Sequence, residues 1–98
     1  MTDGKINELA LKFQKRGSAR SFERLVDLLE EYFRGLHRKQ GERQLLRHLD
    51  LYDDFHQECL LGLFKATQDY SLRRGSFLGF AKLVVRRHLI TITMGNTK

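Results

Sequence analysis

The sequence predicts an all-α protein, a compact bundle of about four helices, and three observations support this fold class. The 98-residue chain contains no proline, the residue that most strongly interrupts a helix. Apolar residues recur at intervals of three and four rather than two, which places them on one face of a helix. An apolar content of 41% suffices for one core at this length, so we predict a single domain over residues 1–98.

The N-terminal segment, residues 1–17, predicts a short first helix. Its apolar stripe consists of Ile6, Leu9, Ala10 and Phe13. The stripe stops at Gly17, a residue type that commonly ends helices. Ser18 and Ser21 are suited to cap a following helix, so a second helix is expected to begin there.

The second helix is the strongest local prediction. A five-turn apolar stripe is opposed by a largely charged face. The stripe consists of Phe22, Leu25, Val26, Leu29, Tyr32, Phe33 and Leu36. Residues 35–48 are mostly polar and basic, so we predict a loop there that carries one short helical turn.

A third helix is predicted from a cap at Asp50 or Asp53 to about Tyr70. One side of this helix carries Phe55, Cys59, Leu63, Ala66 and Tyr70. Leu60, Leu61 and Phe64 point elsewhere, which gives the helix a second apolar face. A helix with two apolar faces lies in the middle of a bundle or offers one face to a partner protein.

Gly75 and Ser76 interrupt the chain and predict the start of a fourth helix, which runs to about Ile92. Its apolar residues are Phe77, Phe80, Ala81, Val84, Val85 and Leu89. The polar side is expected to be entirely basic, with Lys82, Arg86 and Arg87 kept together by the helical spacing. Residues 18–93 thus form the core of the domain, and residues 94–98 are expected to be a frayed tail.

Positive charge is concentrated in the last third of the chain. The net charge is +6, yet residues 1–69 carry twelve Lys or Arg against twelve Asp or Glu. Residues 70–98 carry six basic side chains and no acidic one, so the whole surplus lies there. This distribution favours binding to a polyanion such as nucleic acid, and the alternative is an ordinary solvated helix face.

Several function classes are disfavoured by the sequence. A single cysteine, Cys59, allows no intrachain disulfide and is expected to be a buried hydrophobe. The four histidines are scattered and no glycine-rich phosphate loop is present, so we expect no enzymatic activity, no metal site and no cofactor. Without an apolar run of about 20 residues, a soluble, intracellular protein is expected.

The most specific pattern spans the third and fourth predicted helices. Residues 54–66 read DFHQECLLGLFKA, and Tyr70 and the Arg-Arg-Gly of residues 73–75 follow. The pattern is completed by Phe77, Phe80, Ala81 and Arg86. This order resembles region 2 of the sigma-70 family of bacterial RNA polymerase sigma factors, and with the second helix the likeness covers about residues 18–92.

The resemblance implies two binding surfaces and a place in the bacterial cytoplasm, at the nucleoid. One side of the third helix would dock on the clamp coiled coil of the largest RNA polymerase subunit. Carried over residue by residue, the docking positions are Asp54, Gln57, Glu58, Leu60 and Phe64.

The fourth helix would bind the non-template strand of the minus-ten promoter element. There, Phe80 would stack on an unpaired base, and Phe77 is expected in the core instead. Basic residues would hold phosphates, and Arg87 would also touch a base edge. The implied basic residues are Arg73, Arg74, Lys82, Arg86 and Arg87.

Two departures from the family pattern limit the resemblance. Leu83 and Val84 stand where primary sigma factors carry a tryptophan wedge, so melting of DNA is in doubt and a specialised alternative sigma factor is indicated. No minus-thirty-five reader follows, so we expect an excised domain or the region-2 subunit of a split sigma factor, with a second chain and an anti-sigma factor as possible partners. The alternative function is a stand-alone helical regulator that binds DNA or protein without polymerase.

Overall fold

Helices make up most of the chain in a computed structural model, which describes residues 2–43 and 52–95. Within these ranges the elements are α1 (Asp3–Arg16), α2 (Ala19–Arg43), α3 (Tyr52–Asp69), a 3₁₀ turn (Leu72–Arg74) and α4 (Phe77–Gly95). The described residues contain no strand, and the predicted all-α bundle of about four helices is confirmed. No helix among them is both long enough and apolar enough to cross a membrane.

The ends of α1 and the start of α2 follow the capping pattern of the sequence. Gly17 adopts a left-handed conformation with φ 64°, and its N–H donates to the carbonyl of Phe13. The Ser18 hydroxyl accepts from the N–H of Ser21 at 3.3 Å, so Ser18 caps α2. Ser21 itself is buried within the helix. Gly17 as the end of the first helix and Ser18 as the following cap are therefore confirmed.

The predicted loop over residues 35–48 is wrong as far as Arg43, because α2 continues to that residue. Arg, Lys, Gln and Glu have high helix propensity, and with no proline among them the polar composition does not end the helix. Gly35 and Gly41 are tolerated within a helix of 25 residues. The remainder of the predicted loop, residues 44–48, lies outside the described residues.

The boundaries of α3 and α4 also differ from the prediction. Asp53 lies inside α3 rather than at its cap, because the helix begins at Tyr52. The alternative cap, Asp50, lies outside the described residues. Ser76 caps α4 as predicted, since its hydroxyl accepts from the N–H of Gly79 at 3.4 Å. The helix extends to Gly95, beyond the predicted end at Ile92, so Met94 and Gly95 belong to α4. Residues 96–98, the rest of the expected frayed tail, are not described.

The core is built from the predicted stripes of all four helices. Its buried apolar residues are Ile6, Ala10, Leu25, Leu29, Phe33, Phe55, Cys59, Leu63, Ala66, Tyr70, Phe77, Ala81, Val85 and Leu89. The side of α3 predicted to be buried is therefore confirmed, as is Phe77 in the core. α3 packs most extensively against α4, so these two helices share the centre of the bundle.

Two polar residues of α1 cap the connection between α3 and α4. The Asn7 side-chain oxygen accepts from the N–H of Phe77 at 2.8 Å, which satisfies a donor at the start of α4. About two helical turns further along α1, the Gln14 amide donates to the carbonyls of Thr67 and Tyr70, both at 2.8 Å. The N-terminal helix thereby holds the segment that carries Arg73 and Arg74.

Replacing Gln14 by Ala is expected to lower the free energy of unfolding by about 1–2 kcal/mol, because carbonyls at the end of α3 lose their donor. Urea unfolding followed by circular dichroism measures the change. Lys12→Ala, at an exposed position of the same helix, is the control. Equal losses for the two variants would show that the Gln14 bonds do not stabilise the fold.

Candidate docking and nucleic-acid surfaces

The five residues predicted to dock on a partner lie on one side of α3. Asp54, Gln57 and Phe64 are exposed, and Glu58 and Leu60 are half-buried. Their spacing along α3 spans a broad sector that faces away from the buried Phe55–Leu63 side. The structure thus brings the predicted residues together, and their role in docking stays a prediction.

A groove of about 390 Å³ runs along this side of the molecule. Its walls, which define the aromatic groove, are Phe13, Phe22, Gln57, Glu58, Leu60, Leu61 and Phe64. Four of the five predicted docking residues therefore line one concave surface, and Asp54 lies one helical turn before Glu58. Leu61 and Phe64 are 53% and 41% exposed, so together they present apolar surface in the groove.

Three aromatic rings from three helices form one wall of the aromatic groove. The ring centroids of Phe13 and Phe22 are 4.8 Å apart, and Phe64 lies 5.9 Å from Phe13 and 6.5 Å from Phe22. The edge-on arrangement of Phe64 against both rings is a favourable aromatic geometry. The sequence did not single out Phe13 and Phe22 for this surface, because each lies on a helical stripe that is typical of core residues.

One docking residue also makes a contact inside the bundle. Glu58 Oε1 lies 2.8 Å from Nε2 of His88, a buried residue of α4. The other ring nitrogen of His88 lies 3.0 Å from Nζ of Lys65. Glu58 therefore borders the aromatic groove and joins α3 to α4 at the same time.

Phe80, the predicted base-stacking residue, is half-buried at the surface of α4. Its ring lies 5.9 Å from the Tyr70 ring, and the Arg74 guanidinium lies 4.9 Å above its centroid. The Tyr70 hydroxyl donates to the Gly75 carbonyl, which fixes the ring beneath Phe80. Phe80 therefore packs against the Tyr70 ring and also contacts the Arg74 guanidinium through its own ring.

The basic residues of α4 do not form the single group that was expected. Lys82 and Arg86 are four residues apart and share one side of the helix. Arg87 is rotated by about 100° around the helix from Arg86. It lies on the same side of α4 as Phe80, which precedes it by seven residues. Arg86 and Arg87 are exposed, and Lys82 is half-buried with its Nζ 5.1 Å from the Tyr32 ring centroid.

The exposed side of α4 is also less basic than predicted. Leu83 and Ile90 are 46% and 57% exposed, and they lie between Arg86 and Arg87 around the helix. The expectation of an entirely basic polar side is therefore wrong, because helical rotation places these two apolar residues on the solvent side. Arg73 and Arg74 are exposed on the 3₁₀ turn next to Phe80.

The Cys59 thiol has the environment of a structural residue. Burial, together with the smaller effect of the Glu30 and Glu58 carboxylates, raises its pKa to about 12. The thiol therefore stays protonated and packs as a small hydrophobe. Among the described residues, no group of three or more His, Cys, Asp or Glu is placed to hold a metal ion.

Comparisons with models of protein families, with curated proteins and with solved structures gave no match to this chain. Function must therefore be inferred from the two surfaces themselves. One is an aromatic groove with a polar rim, and the other is a helix whose exposed side carries arginines, aliphatic residues and a half-buried phenylalanine.

Proposed function

We propose that this chain is a sigma-factor-like, promoter-engaging module of bacterial transcription initiation. It docks on the clamp coiled coil of the largest RNA polymerase subunit through the aromatic groove, and it binds the non-template strand of the minus-ten element through α4. The observation that carries the proposal is that four of the residues singled out by the sequence resemblance line one groove.

The chemistry of the aromatic groove suits a helical partner. Phe13, Phe22 and Phe64 supply an apolar wall, while Gln57 and Glu58 supply polar groups at its rim. A helix that places a large apolar side chain beside a basic one complements such a surface, because the apolar group fills the groove and the cation meets a carboxylate. Asp54 adds an exposed carboxylate on the same side.

The surface of α4 suits a single strand of nucleic acid. An aromatic ring that stacks on an unpaired base contributes about 1–3 kcal/mol, and Phe80 has the required partial exposure. Arg74 is exposed, so it can leave the Phe80 ring for a phosphate when a base stacks there. Arg73 and Arg87 extend this positive surface beside Phe80, and Lys82 and Arg86 add positive charge on another side of α4.

The proposed role emphasises promoter engagement over DNA melting. Leu83 is exposed and Val84 is half-buried at the positions of the family's tryptophan wedge, so no large aromatic plane is available there. In this proposal the chain acts in the bacterial cytoplasm at the nucleoid. The proposal includes two further protein partners: a second chain that reads the minus-thirty-five element, and an anti-sigma factor.

Replacing Gln57 by Ala tests the docking proposal without disturbing the bond between Glu58 and His88. We expect about tenfold weaker binding to the isolated clamp coiled coil, measured by isothermal calorimetry, because an interface hydrogen bond is lost. Gln68→Ala is the matched control, since Gln68 is also exposed on α3 but does not line the aromatic groove. Equal affinities of the two variants would argue instead for a stand-alone regulator that does not engage polymerase.

Affinity for single-stranded DNA is expected to fall steeply with salt. If about four basic side chains meet phosphates, the slope of log affinity against log salt concentration is near −3. Fluorescence anisotropy with a labelled oligonucleotide at several salt concentrations measures this slope. A flat response would contradict phosphate binding by α4 and the 3₁₀ turn.

A further inference from the structure

α3 and α4 approach each other closely at Gly62. A Cβ atom added at this glycine would lie 3.0 Å from the Val85 Cα atom and 3.4 Å from the His88 Cβ atom. The backbones of the two helices therefore meet with little side-chain volume between them. Burial of apolar surface is non-directional, so polar contacts beside this crossing can add a directional constraint on how α4 sits along α3.

A chain of polar contacts joins α3 and α4 beside Gly62. Glu58 and Lys65 lie on the same side of α3 as Gly62, one helical turn before and one after it. His88, only 8% exposed, lies between them, with Nε2 2.8 Å from Glu58 Oε1 and Nδ1 3.0 Å from Lys65 Nζ.

The identity of the groups fixes the direction of each hydrogen bond. An ammonium group can only donate, so Lys65 donates to Nδ1 of His88 and that nitrogen carries no proton. The ring proton is then on Nε2, which donates to the Glu58 carboxylate. The imidazole thus bridges a donor and an acceptor that are seven residues apart on α3, which ties one position of α4 to two positions of α3.

We infer that His88 is a positioning residue: it fixes α4 against α3 and thereby sets the affinity of the α4 surface for single-stranded nucleic acid. The inference rests on the proposed function for its link to DNA. His88 lies eight residues after Phe80, about 12 Å along the helix. A small rotation of α4 at His88 therefore moves Phe80 and Arg87 together.

Two substitutions separate positioning from simple packing. His88→Gln retains an amide donor for Glu58 and a carbonyl acceptor for Lys65, whereas His88→Leu fills the space without either group. We expect His88→Leu to bind a fluorescein-labelled thymidine oligonucleotide about fivefold more weakly than the wild type, and His88→Gln to remain within about twofold. Leu29→Val, a core change in α2 outside this chain of contacts, controls for lost stability.

Residual dipolar couplings of α3 and α4 amides provide a readout that does not depend on DNA. His88→Leu is expected to change the angle between the two helices, and His88→Gln and Leu29→Val are expected to preserve it. An unchanged angle in His88→Leu, or a His88→Gln variant as altered as His88→Leu, would overturn the positioning role. If the wild type fails to bind the oligonucleotide, the proposed DNA function fails, and the helix angles still decide the role of His88.

Discussion

Replacing Phe64 by Ala is expected to weaken binding to the polymerase clamp coiled coil by about 30-fold or more. The side chain is 41% exposed and meets the rings of Phe13 and Phe22 in the aromatic groove, so it is placed to pack against an incoming side chain. Truncation of an aromatic residue at the centre of an interface commonly costs 2 kcal/mol or more, which corresponds to about that factor. Isothermal calorimetry with the isolated coiled coil measures it.

A matched control for Phe64 is available on α2. Leu28 is 40% exposed, and it is not among the residues that line the aromatic groove. Leu28→Ala should therefore leave the affinity for the coiled coil unchanged. Circular dichroism of both variants separates lost binding from lost folding, since Phe64 also contacts two rings of the fold. Unaltered affinity in a folded Phe64→Ala variant would exclude the aromatic groove as the docking surface.

Replacing Phe80 by Ala is expected to reduce affinity for the preferred single strand by about tenfold. The reason is the loss of a stacking surface, whose contribution of about 1–3 kcal/mol covers this factor. The preferred strand is the one that the wild-type chain enriches from a random pool, and a scrambled strand of the same composition is the reference. Fluorescence anisotropy on both strands gives the selectivity, which we expect to fall with the affinity.

Two further variants at the same position identify the interaction. Phe80→Tyr keeps the aromatic face and should bind like the wild type, whereas Phe80→Leu keeps apolar bulk against Tyr70 and should bind like Phe80→Ala. Equal losses of Phe80→Ala on the preferred and scrambled strands would indicate that the residue only packs. In that case the arginines alone would account for binding.

The parts of the fold that follow from local sequence were predictable. The apolar stripes of the helices identified the buried residues, because helical periodicity depends only on spacing along the chain. Gly17, Ser18 and Ser76 marked helix ends through local backbone chemistry. The side of α3 that stays exposed was also evident, since Leu61 and Phe64 could not share a face with Phe55.

The parts that depend on distant contacts were not predictable. The Asn7 and Phe77 bond joins residues 70 positions apart, and no local signal marks such a pair. In the sequence His88 is one of four scattered histidines. Its two partners, Glu58 and Lys65, come within reach because α3 and α4 cross near Gly62. The place of Phe13 in the groove was not predictable for the same reason, because its apolar stripe does not reveal that it lies at the edge of a groove.

Site-specific photocrosslinking at Leu61 tests the central proposal most directly. Leu61 is 53% exposed and lines the aromatic groove, so a photoreactive amino acid there reports what occupies the surface. When the chain is mixed with core RNA polymerase, we predict a crosslink to the clamp coiled coil of the largest subunit, and none from the same group placed at Leu28. Absence of a crosslink to that subunit, with the labelled chain folded, would contradict the proposed function.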